Sequence, residues 1–246
     1  VHYQPIVDLG SDRVERLEAL VRWRHPTRGL LGPGDFLGLA ERAGLVSDIL
    51  RFVLGDALGH AKSWRAEGLA DRVSVNLSSS ELSLPRLHLL IADELRAHGV
   101  APEVLELEVA EDSLGLDLDQ IVTVLGQLRL LGARLAIDDY GSGPGSLTFL
   151  RRLPVSALKL DRAFVTALAV DPENQAIVHA TGELARALGL ELVAEGVEAP
   201  SALPILHELG CHAAQGVAIC PPMVPAQMTQ WLRRELARHT AEALHR

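Results

Sequence analysis

In this 246-residue chain, Ala133 to Ser146 reads ARLAIDDYGSGPGS. A short apolar run of β character ends in adjacent carboxylates, Asp138 and Asp139, followed by Gly141, Gly143 and Gly145. That pattern predicts a buried strand delivering charge to its C-terminal end, where the backbone turns tightly. Neighbouring Asp side chains repel unless a cation or a shared proton lies between them. The pair by itself fits a turn opener as well as a metal site. Six more polar residues end or nearly end short β-like runs: Glu18, Asn76, Glu108, Lys159, Glu195 and Gln215. Several have Val, Ile or Leu on every side, so solvation does not explain them. Burying that many carboxylates without cations costs too much. Oxygen donors without His or Cys suit Mg2+ or Mn2+ better than zinc, and Ca2+ also binds such a set. His2, His25 and His212 read as surface or packing residues. Lys159 either closes a core salt bridge or stands beside the metals, holding a water nucleophile or offsetting anionic charge.

These residues meet only if the elements bring them together. His2–Leu9, Val14–Arg24, Val73–Leu77, Val104–Val109, Arg134–Ile137, Ala157–Leu160, Leu190–Ala194 and Ala213–Val217 read as strands. Glu106 and Glu108 share one face by the two-residue period. Helices are expected over Pro33–Ala43, Ser47–Glu67, Pro85–His98, Asp119–Leu131, Asn174–Leu188, Pro204–Leu209 and from Pro225 to the end, with a short helical turn at Leu147–Arg152. Eight strands mostly separated by helices predict a closed parallel (β/α)8 barrel, in which strand C-terminal ends converge at one mouth. The opening hairpin makes the first pairing antiparallel. A doubly wound open sheet is the rival, disfavoured because no glycine-rich phosphate loop follows an early strand.

Composition is consistent with one such domain over residues 1–246: 48% of residues are hydrophobic, and no linker-like segment divides the chain. A net charge of −9 gives no footprint for a nucleic-acid polymer. A small phosphate-bearing ligand fits if metal reverses the local sign. Cys211 and Cys220 form neither a disulfide framework nor a zinc pattern. No run reaches membrane-spanning length and no signal peptide opens the chain. The chain opens in a β-like run without Met. The expectation is a cytoplasmic domain of a larger signalling protein, making no membrane contact itself.

The ordered set QPIVDL (Gln4–Leu9), EALVRWRHP (Glu18–Pro26), VNLS (Val75–Ser78), LELEVAE (Leu105–Glu111), IDDYGSG (Ile137–Gly143), LKLDR (Leu158–Arg162), VAEGVE (Val193–Glu198) and QG (Gln215–Gly216) resembles the EAL-domain family of cyclic di-GMP phosphodiesterases. The likeness runs to about Pro222. It implies a TIM-like barrel with an antiparallel first strand. It also implies two Mg2+ or Mn2+ ions, inhibition by Ca2+, and hydrolysis of cyclic di-GMP to linear pGpG by metal-activated water. By the same resemblance, Glu18, Asn76, Glu108 and Asp138 hold the first metal. Asp138 and Asp139 hold the second, completed by Glu195. Lys159 fixes the attacking water and Gln215 helps orient it. Gln4, Arg22 and Asp161 face the substrate, and Glu111 braces the loop after Asp139. A homodimer is implied as well.

The chain departs from the family pattern in four places. Pro144 and Gly145 replace Tyr and Ser in the glycine-rich loop, and Ala110 replaces Thr. Val217 stands where an aromatic is common, and the following segment lacks the usual basic residue before proline. Leu160 replaces Ile. The altered loop leaves a catalytically weak or inactive cyclic di-GMP receptor as the alternative reading.

Overall fold

The computed structural model describes residues 1–115, 118–143 and 150–244. Its strands are β1 (His2–Asp8), β2 (Val14–Leu20), β3 (Trp23–His25), β4 (Gly29–Leu31), β5 (Arg72–Leu77), β6 (Leu105–Ala110), β7 (Arg134–Tyr140), β8 (Ala157–Leu160), β9 (Glu191–Ala194) and β10 (Ala213–Ala214). Eight of them close a barrel in the order β1-β10-β9-β8-β7-β6-β5-β2. β1 runs antiparallel to both neighbours, and the other neighbouring pairs are parallel. The expected fold class therefore holds, reversed first strand included.

Alternation decides what the wall shows to each side. In β6, Leu105, Leu107 and Val109 join the core shared with the helices, and Glu106 and Glu108 are fully buried on the opposite face. The outer layer includes the helix Val46–Ala66, which buries Leu50, Val53, Leu54, Ala57, Leu58, Ala61 and Trp64 as one stripe at helical spacing. Each leucine so buried contributes roughly 1.5–3 kcal/mol. The helix Pro172–Leu188 is bounded by capping chemistry. Asp171 accepts from the amides of Glu173 and Asn174, and Gly189 ends the helix in left-handed backbone.

The barrel interior is ionic at the N-terminal ends of the parallel strands. Fully buried Arg16 lies 2.9 Å from Glu106, 2.8 Å from Glu15 and 3.2 Å from Glu191. Arg134 closes the group on Glu191 at 2.8 Å. Ile6, Val193 and Ala213 form a small apolar cluster, one two-residue step from Gln4, Glu195 and Gln215.

Some element bounds differ from the sequence reading. The run Val14–Arg24 is not one strand: β2 ends at Leu20, and Trp23–His25 pairs with Gly29–Leu31 in a separate hairpin. Gly29, at φ +78°, supplies its turn. The last strand shortens to Ala213–Ala214. Two four-residue helices, Ser79–Leu82 and Arg162–Val165, are too short to show a period. The loop substitutions at Pro144 and Gly145, and the first half of the turn read at Leu147–Arg152, lie outside the described residues.

Candidate active site

A regular strand sends adjacent side chains to opposite faces, so two neighbouring aspartates ordinarily cannot serve one site. β7 breaks that rule. Ile137 pairs with Leu158 but Tyr140 with Leu160, so β7 carries an extra residue at Asp138–Asp139. Asp139 takes left-handed backbone, φ +52°, at a cost of roughly 1–2 kcal/mol. Both carboxylates then reach one place: ligand atoms of Asp138, Asp139 and Glu195 all lie within 4.8 Å of one another.

Lys159, fully buried on β8, stands at the centre. Its Nζ is 2.6 Å from Glu108, 2.6 Å from Glu195, 3.3 Å from Asp138 and 3.5 Å from Glu18. Burial pulls the ammonium towards losing its proton. The charges of Asp138, Glu108, Glu18 and Glu195 outweigh that and keep it protonated well above its ordinary range. One ammonium does not neutralise the ring. Burial pushes Glu108 well above the usual carboxylate range; Lys159 opposes the shift, and Glu18, Asp138 and Glu106 add to it. Burial likewise pushes Glu195 up to about 8. Asp139 rises to about 6, from burial and then from Asp138 and Asp161.

The amides complete the ring. Asn76 Nδ2 donates to Glu18 Oε1 at 2.7 Å, leaving its carbonyl oxygen as a neutral donor of lone pairs. Gln215 Nε2 donates to Glu18 Oε2 at 2.6 Å and to Gln4 Oε1 at 3.1 Å. Gln4 Nε2 donates in turn to the Cys220 carbonyl at 3.0 Å, so its amide is engaged within the protein. Glu111 sits beneath the loop and accepts from the amides of Gly141 (2.7 Å) and Gly143 (3.1 Å). Asp161 caps the turn Arg162–Val165 and bonds the Asp139 carboxyl. Arg22 stands at the margin. It donates to the Val21 carbonyl at 2.9 Å, feels the charge of Glu18, and lines a neighbouring cavity of about 480 Å³ with Trp23, Phe36 and Asp48. His212 accepts from the Leu192 amide, and His25 from the amides of Thr27 and Arg28, as packing residues do.

The site fits divalent cations on its own chemistry. Glu108 Oε1 is buried without a hydrogen-bond partner, a costly arrangement that a cation relieves. Five carboxylates around one lysine leave excess negative charge, and every donor is a hard oxygen. A cavity of about 540 Å³ opens over Glu18, Asn76, Asp138 and Asp139. Ser78, Ser79, Glu81, Asp112 and Ser113 also line it, residues the sequence reading did not single out. One signal was available: Ser78 and Glu81 form a capping box, readable as S-x-x-E.

The fold and site together define a class: a closed β/α barrel with a reversed first strand and a carboxylate-ringed, cation-type site at its C-terminal mouth. The chain belongs to the EAL-domain family, whose model matches residues 1–222. It is 43% identical over 234 residues to the cyclic di-GMP phosphodiesterase NbdA of Pseudomonas aeruginosa, covering 95% of this chain and 30% of that protein. It is 41% identical over 229 residues to the bifunctional diguanylate cyclase/cyclic di-GMP phosphodiesterase MucR of the same organism, covering 93% and 33%. The solved PaMucR phosphodiesterase–c-di-GMP complex superimposes with a TM-score of 0.87 at 40% identity, covering 92% of each chain. The c-di-GMP-bound FimX EAL domain from Pseudomonas aeruginosa gives 0.81 at 28% identity, covering 90% of this chain and 89% of that one. The chain spans 30–40% of the length of three curated relatives that it matches. No helix among the described residues is long and apolar enough to cross a membrane.

Proposed function

We propose that this domain is a metal-dependent phosphodiesterase that opens cyclic di-GMP to linear pGpG. The observation that carries the reading is the buried Lys159 within a ring of Glu18, Glu108, Asp138 and Glu195, extended by Asp139. In this reading Glu18, Asn76, Glu108 and Asp138 hold one Mg2+ or Mn2+, and Asp138, Asp139 and Glu195 hold a second. When bound, such ions polarise a phosphoryl oxygen and lower the pKa of a water nucleophile. Lys159 directs N–H donors at that water and offsets anionic charge. Gln215, braced by Gln4, orients the Glu18 carboxylate and the water region beside it. Arg22 offers its planar fork to a phosphate. Glu111 holds the Gly141–Gly143 backbone. Ca2+ occupies the same oxygens without supporting turnover.

Purified protein incubated with cyclic di-GMP and Mn2+ is expected to release pGpG. Glu18→Ala is expected to lose nearly all turnover and to weaken metal binding. Ligand binding without hydrolysis by the parent protein supports the receptor reading instead. Undiminished turnover by Glu18→Ala ends the metal scheme.

A further inference from the structure

We infer that Phe164 is a positioning residue for Asp139, acting through the backbone of Gly141; the inference rests on the metal reading above. Asp139 (φ +52°) and Gly141 (φ +97°) both hold left-handed backbone, with Tyr140 between them paired to Leu160. A non-glycine residue in that region persists only where its surroundings over-determine it. Hydrogen bonds supply part of the support. Ser142 donates to the Asp139 carbonyl through its amide (3.2 Å) and its hydroxyl (2.7 Å). Glu111 accepts from the amides of Gly141 and Gly143, and the Asp161 amide donates to the Tyr140 carbonyl at 3.2 Å.

The remaining support is apolar. A Cβ placed on Gly141 would lie 2.7 Å from Phe164 Cε2 and 3.2 Å from Cζ, so the ring edge fills the space a side chain would take. Phe164 is itself held firmly. The Asp161 carboxylate accepts from the Ala163 amide at 2.7 Å, and the Asp161 carbonyl from the Phe164 amide at 3.1 Å. Val165 of the same turn is buried in the core. Gly196 packs so closely that a Cβ there would meet Arg162 Cβ at 2.4 Å. One short turn thus presents two contacts to the bulge: the Asp161 carboxyl to Asp139, and the Phe164 ring to Gly141. Removing the ring frees Gly141 to relax, and Asp139 with it. The other site takes only Asp138 from the bulge, and its remaining ligands Glu18, Asn76 and Glu108 stand on β2, β5 and β6, so it loses less than the site that depends on Asp139.

The test is Mn2+ binding, by calorimetry and electron paramagnetic resonance, for the parent protein, Phe164→Leu, Phe164→Ala, Gly141→Ala and the double variant. The parent is expected to bind two ions. Phe164→Leu, which retains apolar bulk but not the ring edge, is expected to keep one site and weaken the other on the order of tenfold, the scale seen when outer supports of metal ligands are removed. Gly141→Ala is expected to weaken the same site, and to do so less in the Phe164→Ala background, where the ring it would strike is gone. The left-handed penalty is common to both backgrounds and cancels in the cycle. Two undiminished sites in Phe164→Leu, equal loss of both sites, or strict additivity overturns the proposal. A parent protein that binds no pair of ions overturns it too, by removing the metal reading beneath it.

Discussion

A single residue, Lys159, shows how the site is balanced without metal. Its ammonium reaches four carboxylates, and the excess charge is met by raised pKa values on Glu108 and Glu195. The consequence for stability has a definite sign. Glu195 in the folded, metal-free protein keeps its proton to about 8, whereas the unfolded chain releases it near the ordinary 4.5. Between those values the folded state binds more protons, so stability falls as pH rises. Glu108 acts in the same direction. Thermal melts in a chelator are expected to show that decline across pH 4.5 to 8, and Glu195→Gln is expected to flatten it. Added Mn2+ displaces the proton, so the melting-temperature gain it gives is expected to grow with pH. A gain that shrinks with pH would contradict cation binding at these carboxylates.

At the scale of elements, two local devices set the site. The bulge in β7 turns adjacent aspartates to one side, and nothing in the dipeptide itself announces it. The second device is a seam. β10 pairs with β1 only at Val7 and Asp8, leaving the mouth half of β1 without that neighbour. The segment after Gln215 closes the gap: Met223 pairs with Tyr3, and the Cys220 carbonyl accepts from Gln4. Gly216 makes the seam geometrically feasible, since a Cβ there would stand 2.1 Å from the Val197 carbonyl oxygen and 2.3 Å from its nitrogen. These are backbone atoms that cannot swing aside. Gly216→Ala is therefore expected to cost about 1–3 kcal/mol, the usual range for overpacking. It should also displace Gln215 from Glu18. Urea denaturation and the crystal structure of the variant check both effects, and an unshifted midpoint would refute the close approach.

The whole molecule is a barrel with two polar ends of different kinds. At one end Arg16, Arg72 and Arg134 face Glu15, Glu106 and Glu191, three charges of each sign. At the other, carboxylates outnumber the one lysine, and the imbalance marks the end suited to cations. Removing Arg16 leaves Glu106 buried and less compensated. Arg16→Met is expected to cost ~3–5 kcal/mol, as when one partner of a buried ion pair is lost. It should leave Mn2+ affinity unchanged, measured by denaturation and calorimetry on the same preparation. The barrel and most of its mouth were legible in the sequence, because alternation marks strands and a charged residue closing an apolar run is conspicuous. Glu18, Glu108, Lys159 and Glu195 stand out for that reason alone. The order and parallel sense of the strands followed from short helical crossovers. The sequence also carried the eight-strand count and the family's ordered motifs, since these depend on residue type and spacing along the chain. Only the tertiary structure decided that Asp138 and Asp139 share one side, that Gln4 is braced by Gln215 and Cys220, that Arg22 stands at the margin, and that Phe164 backs the bulge. Those facts depend on contacts between residues far apart in the chain, or on a local break in the two-residue period, and spacing along the chain encodes neither.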